Sequence, residues 1–263
     1  MILRRITKHV KEQNWFAVFL DFVIVVIGIL IAFQITNFSD ARREISELRQ
    51  AEAALKNDLR RSYFNAKERM TLTDCRTEQL RGLSERLLEP GDTWAGTPME
   101  TTASWGERAI PPVLRSPSRL WGSRIWSAEL SRGTFNRMDA DQRAELDAVF
   151  EQSRSAELLQ DRILTLQARL KVLSRATVLS RQDRLRYFDI VSEIDEQSVT
   201  LEMIASQIAE RIEGMDVTPD AETELRIRDS IESSRAARQA AYGPCVKPME
   251  LFFLDPVIDE IAE

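Results

Sequence analysis

From Phe22 to Phe33 the chain reads FVIVVIGILIAF, without a polar side chain. WFAVFLD before it and QITNF after it extend the apolar segment over residues 15–38. A helix that crosses hydrocarbon needs roughly 20 largely apolar residues at about 1.5 Å rise each, so the pattern predicts a transmembrane helix. Trp15, Phe16 and Phe38 stand at its ends, where aromatic rings favour the membrane interface. A cleaved export signal shares the basic start and apolar run, but its core is usually shorter and small residues mark its cleavage site. Here the run ends in AFQITNFSD, so the reading is an uncleaved anchor.

Beyond the anchor the apolar period becomes that of a half-wetted helix. Ile45, Leu48, Leu55, Leu59, Ala66 and Met70 recur at three, four and seven residues, and no breaker intervenes before Pro90-Gly91. The spacing predicts a stalk helix over residues 39–89 that continues the anchor. Residues 90–137 then lose the period. They hold Trp94, Trp105, Trp121 and Trp126 among prolines and glycines, with a short helix expected from Ser116-Pro117 to about Leu130 and closed by Gly133.

Asp139 followed by Gln142 offers a capping box for the next helix. Val149, Ala156, Ile163 and Leu170 fall seven apart, with Leu159, Leu166 and Leu173 as a companion series. This seam needs another helix, either the stalk folding back as an antiparallel hairpin or a second copy of the chain. Leu185, Phe188, Ile194, Leu201, Ile204 and Ile208 continue the period after an irregular stretch at RATVLSRQD. A last helix is expected to be capped by Thr218, to have Pro219 at its first position, and to stop at Gly243-Pro244. The predicted fold is mainly α: an anchor, a stalk and an antiparallel hairpin or bundle with coiled-coil-like packing. The segments are 1–14 (basic tail), 15–38 (anchor), 39–89 (stalk), 90–137 (Trp/Pro/Gly-rich loop), 138–243 (long helices) and 244–263 (C-terminal tail).

Charge orients the anchor and narrows the partners. Arg4, Arg5, Lys8 and Lys11 precede the span, whereas Arg42, Arg43 and Arg49 after it are mixed with Asp40, Glu44 and Glu47. Basic flanks stay cytoplasmic, and long domains translocate largely regardless of charge. The expected topology is N-terminus in the cytoplasm and domain outside, in the bacterial cytoplasmic membrane. Net charge is −6, of which the first 38 residues carry +2 and the remainder −8. That balance excludes a nucleic-acid footprint. It leaves the lipid bilayer, other membrane or periplasmic proteins and a second copy as expected partners.

Candidate chemistry is sparse. The single histidine, His9, precedes the anchor, so no His-based triad or histidine-rich zinc site can form in the domain. Phosphate-cradling glycine motifs are absent as well. No enzyme activity and no cofactor are expected. Cys75 and Cys245 are a candidate disulfide in an exported domain, the alternative being two buried thiols. Asp21 is an acid inside the span, costly unless functional or close enough to the interface to be solvated. Gln34, Thr36 and Asn37 form a polar collar near the other end, able to bond across helices or to meet interfacial water. Trp94, Trp105, Trp121 and Trp126 either plug the ends of a thin bundle or form a partner-recognition patch.

Two resemblances attach to the anchor. FLDFVIVV, with its aspartate near one end, resembles the anchors of flagellar and energy-transducing stator subunits, which would imply proton carriage by Asp21. VVIGILIAFQITNFSDARRE, with Asp21 before it and LRQAEAALKNDL after it, is similar to the N-terminal signature of a family of uncharacterised bacterial membrane proteins. Asp21 stands where that family usually has glutamate, and Phe38 where it more often has tryptophan. That family implies an anchor followed by a helical domain and lends no activity. The expected role is a non-enzymatic, membrane-tethered scaffold or partner-binding module on the periplasmic side. The alternatives are a stator-like accessory subunit using Asp21, and a small-ligand sensor using the tryptophan-rich segment.

Overall fold

A computed structural model describes residues 15–96 and 117–254, except for the side chains of residues 15–18 and Asp21. The basic tail with His9, the stretch 97–116 with Trp105, and residues 255–263 lie outside the described residues. The protein is mainly helical and divides into two compact units, Met1–Glu52 and Ala53–Glu263.

In the first unit, helix α1 (Trp15–Thr71) begins, a single helix that runs on into the second unit. Among the described residues it is the one helix long and apolar enough to cross a membrane. Its apolar side chains are uncovered: Phe19, Phe22, Ile29, Phe33 and Ile35 are each more than 60% exposed. Thr36 donates its hydroxyl back to the Ala32 carbonyl at 3.0 Å, and Arg43 pairs with Glu47 one turn on at 2.8 Å.

The second unit is a bundle. α1 ends at Thr71, and α2 (Thr73–Leu88) follows after a break at Leu72, so the stalk is two helices rather than the one expected. The cause is chemical. Thr71 and Thr73 turn their hydroxyls back onto the Glu68 and Met70 carbonyls, at 2.7 and 3.1 Å. The freed Thr71 carbonyl is then taken by the backbone N–H of Lys247 at 3.0 Å. Threonine hydroxyls compete with the helical ladder in this way.

Next come β1 (Thr93–Trp94), α3 (Arg124–Arg132), α4 (Ala140–Arg169), β2 (Thr177–Val178), α5 (Arg181–Glu213) and α6 (Ala221–Tyr242). β1 and β2 pair antiparallel, Thr93 with Val178 and Trp94 with Thr177. The irregular stretch before α5 is therefore a turn plus a strand. It ends on a capping box in which the Ser180 hydroxyl accepts from the Asp183 N–H and the Asp183 carboxylate accepts in return.

The heptad positions Val149, Ala156, Ile163 and Leu170 are at most 1% exposed. The helix they pack on is neither the stalk nor a second copy but α5, the next helix in sequence. Pairs across the two helices run in opposite order, Glu145 with Arg211, Gln152 with Gln207 and Arg162 with Glu193. The expected partners assumed that the seam had to look beyond its neighbour, whereas the tight turn at residues 170–180 lets α5 fold straight back. α2 packs on α5 as well, with Arg76 bonded to Glu202 at 2.8 Å and to Asp195. Ala66, Ala156 and Ala205 are fully buried, small residues that allow helices to approach closely.

Two other helix starts differ from expectation. Residues 117–123 have no regular secondary structure, and α3 begins only at Arg124, because the Ser123 hydroxyl accepts from the Trp126 N–H. Gly133 closes it at φ 77 as expected. For α6 the cap is Asp220 rather than Thr218, since its carboxylate reaches the Thr223 N–H at 2.8 Å. Asp139 caps α4, accepting from Asp141 and Gln142.

Candidate functional site

The tryptophans bear first on any binding function. Trp94 is 2%, Trp121 1% and Trp126 5% exposed, so these three do not form a recognition patch on the surface. Each has a packing role that suits a large ring carrying one N–H donor. The Trp94 indole donates to the Leu173 carbonyl at 2.8 Å, and the Arg86 guanidinium lies 4.4 Å from its ring centre. Trp126 stacks on Phe135 at 5.0 Å and on Phe150 at 5.4 Å. The Trp121 indole donates to Gln160 at 3.2 Å.

Trp121 belongs to a polar seam that the sequence did not announce. Residues 117–123 run between α1 and α4 outside any helix or strand, where their backbone groups have no ladder to join. Side chains of α1 supply the missing bonds. Asn65 donates to the Leu120 carbonyl at 2.9 Å, Ser62 to that of Trp121 at 3.3 Å, and Arg69 to that of Pro117 at 3.2 Å. From α4, the Gln160 amide reads both backbone groups of Arg119, accepting from its N–H at 2.8 Å and donating to its carbonyl at 3.0 Å.

The Arg119 guanidinium forms a two-pronged pair with the buried Glu68 carboxylate at 2.5 and 2.6 Å, which holds the arginine pKa above its ordinary value. Beside it, burial pushes the Arg69 pKa down to about 10, against the opposing pull of Glu202 and Glu68. Arg69 therefore stays protonated at neutral pH. Buried polar groups this dense are tolerated because they are bonded. The signal in sequence was Asp58, Ser62 and Asn65 falling three or four apart along α1, with Glu68 and Arg69 three and four beyond Asn65, a polar stripe that reads as a wet face until something polar covers it.

Cys75 and Cys245 are joined by a disulfide. Around it Leu72, Cys75, Ala241, Tyr242 and Val246 form a small apolar cluster. The chain after the bridge lies back along α1: Lys247 bonds Thr71 and pairs with Asp74 at 2.9 Å, and Phe252 and Phe253 pack on Tyr63. Tyr63 is fully buried and donates to Glu213 at 2.7 Å. Burial, and then that hydrogen bond, raise its pKa well above the ordinary phenol.

Gln34 and Asn37 are exposed on α1, and the backbone of Asp21 is helical there, its side chain being outside the described residues. These three residues belong to the first unit and the cysteine pair to the second.

An open cleft of ≈ 370 Å³ between Leu30 and Phe38 is no more than the apolar ridges of α1. A cleft of ≈ 1040 Å³ in the bundle lies between α1, α3 and α4. There Arg61, Arg124 and Arg154 alternate with Asp58, Glu151 and Glu157 above Trp126 and Phe150. The Asp58 carboxylate is occupied by Arg61 at 2.9 Å and by the Ser123 hydroxyl. The cleft's charges balance, three of each sign. Among the described residues no group of three or more His, Cys, Asp or Glu is placed to hold a metal ion. No protein-family model, curated protein or solved structure matches the chain.

Proposed function

We propose that this chain is a single-pass membrane protein whose helical bundle serves as a non-enzymatic scaffold or partner-binding module on the outer face of a bacterial cytoplasmic membrane. The observation that carries the reading is α1, a helix with bare apolar surface from Phe19 to Phe38 that continues into the bundle. Exposed apolar surface of that extent is unfavourable in water and favourable in lipid. The disulfide supports the outward placement of the domain, because such bonds persist in oxidising compartments. The polar seam supports a structural role, since its charged groups are engaged in holding the chain together. The likeness of the anchor to uncharacterised bacterial anchors agrees with this compartment.

Reporter fusions after Glu263 test the topology. Alkaline phosphatase should be active there and green fluorescent protein dark, and the opposite pattern overturns the reading. Carbonate extraction tests the anchor: the full chain should stay in the membrane pellet, and its release into the supernatant would refute the span.

A further inference from the structure

The described charges are distributed unevenly along the bundle. Between Arg169 and Arg186 the sequence carries Arg169, Lys171, Arg175, Arg181, Arg184 and Arg186 against one acid, Asp183, in a chain of net charge −6. The fold gathers this run into one place, the turn where α4 hands over to α5. Arg184 is buried and donates to the Arg86 and Thr93 carbonyls, so it belongs to the framework. The other five cations are exposed, and none makes an ion pair or side-chain hydrogen bond with a described residue. Asp183 is held in its capping box. The adjoining turn adds only Glu89 and Asp92, leaving six basic groups against three acidic ones.

Position and neighbours sharpen the reading. α1 enters the bundle near Lys56 and Asp216, which pair at 2.7 Å. α5 then runs 33 residues from Glu213 to Arg181, roughly 50 Å, to the opposite end. Apolar side chains stand among the cations at that end: Val178 is 75%, Leu185 44% and Val172 38% exposed. Cations interleaved with exposed aliphatic groups suit a lipid interface, with guanidinium and ammonium groups on headgroup phosphates and short side chains at the acyl boundary. An acidic protein surface would answer the charge but would not call for the bare valines.

We infer that the α4–α5 tip is a docking surface for an anionic phospholipid bilayer. This rests on the proposed membrane anchoring.

The test uses the full chain inserted in nanodiscs of phosphatidylcholine, mixed with free vesicles either rich in phosphatidylglycerol or made of phosphatidylcholine alone. Failure to enter nanodiscs would overturn the anchoring itself, and is read before any vesicle is added. Loaded nanodiscs should co-sediment with the anionic vesicles and not the neutral ones, and added salt should weaken capture. The triple variant Lys171→Gln, Arg175→Gln, Arg181→Gln should bind about a hundredfold more weakly, while Arg175→Lys with Arg181→Lys should bind as the parent does. Circular dichroism identifies any variant that has lost its fold. No capture by anionic vesicles overturns the inference, and so does equal capture of the folded triple variant. Equal affinity for soluble polyglutamate would assign the tip to acidic polymers and overturn the lipid reading too.

Discussion

Replacing Cys75 and Cys245 together with alanine removes a cross-link between residues 170 apart in sequence. In the chain-entropy treatment, a loop of that length restricts the unfolded ensemble by about 5 kcal/mol. The measured loss should be smaller, about 3–4 kcal/mol, because engineered and native bridges often deliver less than the model and because the junction keeps other contacts. Lys247 still bonds the Thr71 carbonyl at 3.0 Å, and Gln79 still donates to the Tyr242 carbonyl at 2.7 Å. For a domain of this size each kcal/mol corresponds to about 2–4 °C in Tm, so the midpoint should drop by about 10 °C. The assay is thermal unfolding of the full chain in nanodiscs, followed by circular dichroism, for the parent with and without reductant and for the double variant. Reduced parent and double variant should coincide. An unchanged midpoint in both would refute the reasoning, because it would mean that the bridge restrains a segment already free in the folded state.

Three further outcomes follow from the polar seam and its surroundings. Glu68→Ala strands the Arg119 guanidinium, which is about one-third exposed, and should cost about 2–3 kcal/mol in urea titration; a loss below about 0.5 kcal/mol would show that water replaces the carboxylate. Gln160→Ala leaves the Arg119 N–H and carbonyl without their partner and should cost about 2 kcal/mol, with faster hydrogen exchange at the Arg119 amide as the local readout. Tyr63 holds its proton in the folded state above about pH 10, where the unfolded chain loses it, so its contribution is present below about pH 10 and is lost as the pH rises. Arg69, with its lowered pKa, acts with opposite sign in that range. The comparison is therefore between parent and Tyr63→Phe, and the parent should lose more stability on going from about pH 9 to about pH 11.

What sequence could reveal depended on whether a residue's partner was local. The seam of α4 was legible because burial at seven-residue spacing is a property of one helix, and so were the Asp139 and Gly133 caps, which act within a turn. The break at Leu72 was not, because the Thr71 and Thr73 hydroxyls decide for the break only once Lys247, far along the chain, takes the released carbonyl. The polar stripe of α1 carried no mark of its burial for the same reason. Asp58, Ser62, Asn65, Glu68 and Arg69 look like any wet helical face, and what covers them is an irregular segment whose own backbone needs those groups. The tryptophans were open to two readings, plugs of the bundle or a recognition patch, and their number and the prolines around them did not decide between the two. Their indole donors and stacking rings find partners inside the bundle, at Leu173, Gln160, Phe135 and Phe150, which no local pattern marks.

The bridge also has a consequence for proteolysis. Cys75 follows α1 with its apolar N-terminal half, and Cys245 lies beyond α6, so most of the bundle sits between the two sulfurs in sequence. A protease that cuts once anywhere in that interval opens the polypeptide but leaves both pieces covalently linked to the same helix. Release of any part of that interval by cuts within it then requires two cuts, or one cut and a reductant. On a gel, a singly nicked molecule would migrate as one band until thiol is added and as two afterwards.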